Sequence, residues 1–373
     1  MRATRVRRAG TATAVLVAAG LALLGIPLEH GTTDASSPPP PAVTAVVAPV
    51  PPPAVPLAPR ELSARVVPTI VTVTTRSALG TTAGTGIVLH PAESAAIVLT
   101  NHHVIDGGTE ITVTSMYDMR RYPIEVVGYD SSRDLAVLRL AGGSGLPTAT
   151  LGSSNSAHVG DPVTAIGNAE GGGVPVPAPG AVTRLGVTVT TRNSADGSRN
   201  QLTGLIEVDA DVRPGDSGGP LVNAFGEVIG VNSAGNAVER DVPQAPTPKS
   251  YAIPIDSAME LVDQVLAGRP SDTVHIGPTA QLGVGVRDHR DPQSNVQSGA
   301  EVTLVSFGSP AEGTGLARGA VITEFDGVPI RSASDLNVRM IALHPGDHVD
   351  LRWTDATGTP RSGSLVLTEG PPR

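Results

Sequence analysis

Between Glu61 and Arg269 the chain is a succession of short β-branched runs punctuated by Gly, Asn and Asp, and this pattern limits the fold more than any other feature. Thr69–Thr75, Ile97–Thr100, Ile111–Ser115, Leu135–Leu140, Val182–Thr191 and Glu227–Asn232 are rich in side chains that suit a pleated sheet. Many short strands at fairly regular spacing predict a sandwich or barrel. A stretch of about 210 residues suits a pair of small barrels. A helical period occurs only at its end, Asp256–Leu266, where Asp256 is placed to cap the helix and Gly268 to stop it. The 43 glycines and 34 prolines fit a turn-rich β chain with an extended linker.

A second pattern begins near Gly277. Strand-like runs Leu282–Val286, Val302–Phe307 and Val321–Phe325 lead to a tight Asp326-Gly327 turn and a helix over Ser334–Leu343, capped by Ser332 or Ser334. Two more runs follow, Asp350–Trp353 and Ser364–Leu367. A mixed α+β module of about 95 residues has the size of a small binding domain. Trp353, the only tryptophan, is expected to pack against a strand.

Ahead of both modules, Arg2, Arg5, Arg7 and Arg8 precede an uncharged run from Ala9 to Leu28, which reads as an export signal. Residues 1–35 are therefore expected to be a cleaved signal peptide or a retained single-pass anchor, with a small-residue site at Thr33-Asp34-Ala35. Pro38–Pro59 is almost only Pro, Ala and Val, a composition that favours a semi-rigid polyproline II spacer, and we read residues 36–60 as linker. The rest is expected to work outside the cytoplasm, in the cell envelope or secreted.

Composition narrows the chemistry. With 26 basic and 35 acidic side chains the net charge is −9, which argues against a nucleic-acid partner. The chain has no cysteine, which removes disulfides, thiolate metal sites and a thiol nucleophile. Neither a cofactor nor a metal is expected.

The strongest chemical signal is Gly215-Asp216-Ser217-Gly218-Gly219-Pro220. A serine flanked by glycines can sit on a turn whose backbone N–H groups point at a developing oxyanion. Its hydroxyl needs a base, and the base an orienting carboxylate. Leu99–Val104 supplies a histidine pair, His102 and His103, after an apolar strand; Asp130–Leu138 supplies Asp130 and Asp134 at the entry of another. The chain order is His, Asp, Ser, as in double-barrel proteases.

These motifs, with Gly84–Val88, Gly226–Asn232 and Tyr251–Pro254, resemble trypsin-like serine proteases of the HtrA/Deg type, which join a double β-barrel protease domain to a C-terminal PDZ domain. Thr273–Thr279 and Glu369-Gly370-Pro371-Pro372 resemble the mycobacterial secreted PepA-like serine proteases of that family. The resemblance covers everything after the linker. It implies a protease domain over 61–270 and a PDZ domain over 277–370. It also implies a serine endopeptidase that cuts exposed or misfolded polypeptides through an acyl-enzyme. The histidine beside valine is the base in the family pattern, so His103, Asp134 and Ser217 are implied as the triad, and His102 as a surface or supporting residue. Gly215 and Ser217, with Asp216, are the implied oxyanion-hole residues. Leu282-Gly283-Val284-Gly285 resembles the carboxylate-binding loop of a PDZ domain, which adds C-terminal or extended peptides to a sheet edge.

Three departures bear on function. The family usually has Asn where this chain has Asp216; trypsins have Asp there, paired with a newly cut N-terminus, yet Glu61–Thr75 holds no Ile-Val-Gly-Gly-like activation site. Asp211 stands where trypsins place the acid at the base of the S1 pocket, beside Val212, Val231 and Asn232 as further S1 candidates; an exposed loop carboxylate is the simpler expectation. Family trimers often use aromatic contacts near the start of the protease domain, but Glu61–Met116 has no Phe, Tyr or Trp, so a monomer stands beside a homotrimer. Two other functions compete: a gated or inactive chaperone scaffold of the same fold, and an esterase, which the His-Asp-Ser order disfavours.

Overall fold

A computed structural model describes residues 55–77, 80–92, 95–192, 199–233, 249–291 and 296–373. The expected export signal, its Thr33–Ala35 site and most of the Pro-rich spacer lie outside the described residues. Among the described residues no helix is long and apolar enough to cross a membrane.

The first module begins at α1 (Pro59–Val66), whose start is held by the Ala58 N–H donating to Glu61 Oε2. Its strands are β1 (Ile70–Ser77), β2 (Gly80–Ala92), β3 (Ala95–Thr100), β4 (Glu110–Ser115), β5 (Arg121–Tyr122), β6 (Ile124–Asp130) and β7 (Leu135–Ala141), with α2 (His102–Ile105) after β3. Then come β8 (Pro162–Gly167), β9 (Val176–Arg192), β10 (Arg199–Val208), β11 (Pro220–Asn223), β12 (Val228–Ser233) and β13 (Ser250–Pro254), closed by α3 (Ile255–Leu266). Each expected run lies on one of these strands.

The second set forms a closed barrel, β10-β13-β12-β11-β8-β9. The first set is an eight-stranded sheet in the order β14-β6-β7-β3-β2-β1-β4-β5, where β14 is Val274–Ile276. Its ladder does not close into a ring: β14 occupies the outer edge of β6 at Gly128–Asp130, and the two-residue β5 ends the other side. The stretch between the two expected domains is therefore a strand of the first sheet.

Neighbouring residues of the central strands point into different cores. Val71, Val88, Val98 and Leu138 fill the interior of the first sheet, whereas Ile70, Ile87, Leu99 and Val137 face Ile166, Val222, Val231 and α3. Both faces are buried, so these strands read as unbroken apolar runs rather than alternating ones. Helix α3 buries Ile255, Ala258, Leu261, Val262 and Val265 and stops before Gly268, which takes φ +63°. Asp256 does not cap it. Its carboxylate instead accepts from Ser153 Oγ, Ser154 Oγ and the Asn155 N–H, anchoring the interbarrel loop.

The second module contains β15 (Ala280–Gln281), β16 (Val284–Arg290), β17 (Gln297–Val305), β18 (Val321–Phe325), β19 (Val328–Pro329), α4 (Ala333–Ile341), β20 (His348–Thr354), β21 (Pro360–Val366) and β22 (Thr368–Glu369). The sheet runs β16-β17-β18-β20-β21, which leaves β16 on an edge. Ser332 is the cap of α4, its Oγ accepting from the Asp335 N–H at 3.0 Å. Trp353 is buried with Phe325, Leu336 and Leu351 in a wholly apolar core, as expected.

Candidate active site

Strand β3 runs into the buried Thr100 and Asn101, and the chain then turns into α2. Successive helical residues point about 100° apart, so His102 and His103 face different surroundings. His103 faces Asp134. Its backbone N–H donates to Asp134 Oδ1 at 3.0 Å, and its ring Nδ1 lies 2.8 Å from Oδ2 and 3.0 Å from Oδ1. Two further bonds hold the aspartate: Ser233 Oγ donates to Oδ2 at 3.2 Å, and Asn101 Nδ2 to the Asp134 carbonyl at 2.9 Å.

Asp134 takes φ +56°, and the neighbouring Asp130 builds the turn that presents it. Asp130 is buried. Its Oδ1 accepts from Ser132 N–H, Ser132 Oγ and Arg133 N–H, while Oδ2 accepts from Arg133 Nε at 2.7 Å and from Thr273 Oγ1. The acceptor sites of Asp130 are taken up by its own loop and by Thr273. The two acids thus have separate jobs that only the hydrogen-bond partners distinguish.

The charges of this pair reinforce one another. Burial alone would lower the His103 pKa, but the Asp134 charge and hydrogen bond outweigh it, and the imidazole ends above its ordinary value. Burial alone would raise Asp134; the opposing His103 charge and the bonds from its ring and backbone leave the carboxyl below its ordinary range.

The serine turn is clamped to the first sheet by Thr85 of β2, which is fully buried. Its N–H donates to the Ser217 carbonyl (2.8 Å) and its Oγ1 donates to the Gly215 carbonyl (2.7 Å) while accepting from the Asn168 N–H (2.9 Å). Thr100 Oγ1 in turn donates to the Thr85 carbonyl at 2.6 Å. The glycines on either side of Ser217 are required by space as well as by dihedral. A Cβ on Gly215 (φ +99°) would stand 2.1 Å from the Asn168 carbonyl, and one on Gly218 (φ +83°) 2.1 Å from the Thr85 carbonyl. The N–H groups of Gly218 and Asn232 complete the clamp by bonding to Asn232 and Gly219. Asp134, through Ser233, and the Ser217 turn, through Asn232, are thus tied to adjacent residues of β12. His103, Asp134 and Ser217 are the residues that the family resemblance implies as a triad. Thr85 and Asn101 lie inside motifs of the sequence and Ser233 directly follows one, but nothing in their spacing indicates that they hold the site together.

Asp216 is buried. Its N–H donates to the Arg213 carbonyl, so it is not available to an oxyanion, which corrects its inclusion among those donors. Its Oδ2 accepts from the Arg213 N–H at 2.8 Å, Oδ1 has no partner among the described residues, and burial pushes the carboxyl up to about 6. Asp211 is half exposed and paired with Arg213, which also reaches Glu170. Val212, Val231 and Asn232 are buried, and Asn232 Nδ2 donates to the Pro220 carbonyl.

In the second module, the loop before edge strand β16 is tied down by its carbonyls: Leu282 accepts from the Ala311 N–H and Gly283 from the Ser306 N–H. Leu282 and Val284 are buried, and Gly285 pairs with Leu304 of β17.

Comparison with known proteins agrees with both modules. A trypsin-like peptidase domain model matches residues 84–231, and a PDZ domain model matches 280–354. The chain is 33% identical to the serine protease PepD of Mycobacterium tuberculosis, over 96% of this chain and 76% of that protein. It is 36% identical to the putative serine protease HhoA of Synechocystis, covering 72% of this chain and 66% of HhoA. It is 33% identical to a probable periplasmic DegP-like serine endoprotease of Chlamydia trachomatis, of which it spans only half. A serine endoprotease structure from Yersinia pestis aligns over 84% of this chain and 99% of its own length, with 25% identity and a TM-score of 0.45. With near full-length similarity to PepD and the peptidase and PDZ models matched in order, the chain belongs to the HtrA/Deg family of trypsin-like serine endopeptidases with a PDZ domain.

Proposed function

We propose that the protein cleaves exposed or misfolded polypeptides outside the cytoplasm, using His103, Asp134 and Ser217 as a triad and its PDZ domain to dock extended or C-terminal peptides. The observation that carries this reading is the His103–Asp134 pair held beside the glycine-bounded Ser217 turn.

In the mechanism, His103 Nε2 takes the proton of Ser217 as Oγ bonds to the substrate carbonyl carbon. Asp134 keeps Nδ1 protonated and stabilises the imidazolium that forms. The N–H groups of Gly215 and Ser217 hold the oxyanion. The imidazolium then protonates the leaving amine, the C–N bond breaks and an acyl-enzyme remains. Water, deprotonated by the neutral His103, attacks the ester; Ser217 recovers its proton and the acid product leaves.

Ser217→Ala should abolish both turnover of unfolded casein and labelling by a serine-directed phosphonate. Persistent labelling of that variant would overturn the assignment. Because Asp211 is already engaged by Arg213 at the surface, the S1 site lined by Val212, Val231 and Asn232 should prefer small aliphatic residues. Peptides cut after Val should outpace those cut after Arg; the reverse order would return Asp211 to the pocket. The extracytoplasmic setting rests on the expected export signal and on relatives named as periplasmic.

A further inference from the structure

The Ser217 turn leads straight into β11, and the strands flanking β11 offer a substrate different surfaces. On one flank lies β12, where Val231 pairs with Pro220 and Asn232 follows; these are two of the S1 candidates. On the other flank lies β8, where Ala165 pairs with Leu221. An extended polypeptide whose acyl half rests at S1 beside β12 therefore sends its leaving half across the turn, towards the end of β8. The residues of the triad and of S1 leave that half unbound.

The end of β8 carries the loop 168–175, which is fastened to the serine turn. The Glu170 N–H donates to the Pro214 carbonyl at 2.7 Å, and the Gly173 N–H donates to Asn168 Oδ1 at 2.6 Å. The Asn168 N–H donates to Thr85 Oγ1, the same hydroxyl that holds the Gly215 carbonyl. Gly171 abuts β2: a Cβ there would stand 3.0 Å from the Ala83 Cβ. The loop thus bridges the first sheet and the serine turn on the flank away from β12.

Beyond this bridge the chain extends into β9, with Val176 paired to Gly167. Gly167 packs on the serine turn itself, since a Cβ on it would stand 2.5 Å from the Asp216 Cα. Alternate residues of an extended segment point to opposite sides. Pro175 is buried, whereas Val174 and Val176 on either side of it are 67% and 51% exposed. A single exposed valine is ordinary, but two turned out together along the exit path of the substrate form an apolar strip. The charges beside the strip are engaged. Arg213 bonds to both Glu170 (3.1 Å) and Asp211 (2.8 Å), which leaves one carboxylate in excess. An apolar side chain on the leaving half would bury against the valines, and an acidic one would meet that excess negative charge.

We propose that Val174 and Val176 are specificity-determining residues that form a subsite for the leaving half of the substrate, selecting polypeptides with apolar residues just after the cut. The inference rests on Ser217 being the nucleophile. Burying an apolar side chain against two valines gives about a tenfold preference.

The test compares quenched fluorescent peptides that share one acyl half, ending in Val or Arg, whichever is cut faster. They differ only after the cut, where they carry Leu-Leu, Gly-Gly or Asp-Asp. In kcat/KM the full wild-type chain should favour Leu-Leu over Gly-Gly by about tenfold and should cut Asp-Asp slowest. In the double variant Val174→Ser/Val176→Ser, with both changes at exposed positions, the Leu-Leu to Gly-Gly ratio should fall below about two. Val174→Lys should raise the Asp-Asp to Leu-Leu ratio about tenfold by adding a cation to the strip. Leu-Leu no better than Gly-Gly in wild type, or a preference that survives in the double variant, would overturn the subsite. A p-nitroanilide with the same acyl half has no residue after the cut, so its turnover by wild type tests the triad alone. If that substrate stays intact, the triad reading fails and takes the subsite with it; if it is cut while the peptide ratios are flat, only the subsite fails.

Discussion

The catalytic module and the PDZ module are built by opposite rules. Every buried polar side chain among the described residues belongs to the catalytic module or to the connector that holds His275 and Thr279. From Ala280 onward the buried side chains are apolar, centred on Phe325, Leu351 and Trp353. A reaction needs charges held in fixed positions away from water, which is costly unless each is bonded. Peptide docking at a sheet edge needs only backbone groups and shape. The comparison teaches that substitutions in the first module should act on chemistry and those in the second on folding or docking.

The largest effect should come from Asp134→Asn. Removing the charge while keeping the shape should cost about 10⁴-fold in kcat through the wrong imidazole tautomer. The same change should move the rising limb of the kcat/KM–pH profile. In the proposed mechanism His103 must lose its proton to act, and the Asp134 charge, which raises its pKa, moves the midpoint above that of an ordinary imidazole. Without the carboxylate the midpoint should fall. A profile that stays put would mean that Asp134 does not set the base.

On the other side of the comparison, Trp353→Ala should destabilise the PDZ core by about 3–5 kcal/mol, read by calorimetry or denaturant melts. Below the shifted transition, phosphonate labelling of Ser217 should remain within twofold of wild type. A large drop in labelling with the domain still folded would blur the division of labour.

Asp216→Asn should give the smallest change and the one most sensitive to pH. Because burial raises this carboxyl from 3.8 to about 6, the folded chain binds its proton more tightly than the unfolded chain does. The penalty for ionising it is absent below about pH 4, grows towards pH 6 and is complete above it. The variant should therefore be more stable than wild type by about 1–2 kcal/mol at pH 7.5, with the gain fading as pH falls. Equal gains at pH 7.5 and pH 4 would show that the charge is not the cause.

Local patterns were enough wherever the controlling interaction is close in sequence. Short strands, the Gly268 stop, the Ser332 cap and the Asp326-Gly327 turn follow from residues within a few positions of each other. The His103, Asp134 and Ser217 pattern was legible because each residue sits in a short motif at the end of a strand. Asp256 was misjudged as a cap because its partners, Ser153 to Asn155, lie about a hundred positions away. Asp216 was miscounted among the oxyanion donors because a turn bond to Arg213 takes its N–H.

The sequence by itself determined a β-rich double module and the family, and put forward His103, Asp134 and Ser217 as the proposed triad, because strand propensity, turn chemistry and motif order are local properties. Only the tertiary structure decided what holds them. Thr85 clamps the Ser217 turn from 130 positions away, Ser233 steadies Asp134 from 99, and Asp130 is taken up by its own loop and Thr273 although it looks as suitable as Asp134. It also decided that His102, which the sequence left as a surface or supporting residue, is buried against Tyr129. Such contacts join strands far apart in the chain, and which of them meet depends on how the sheets close, a property no single segment carries.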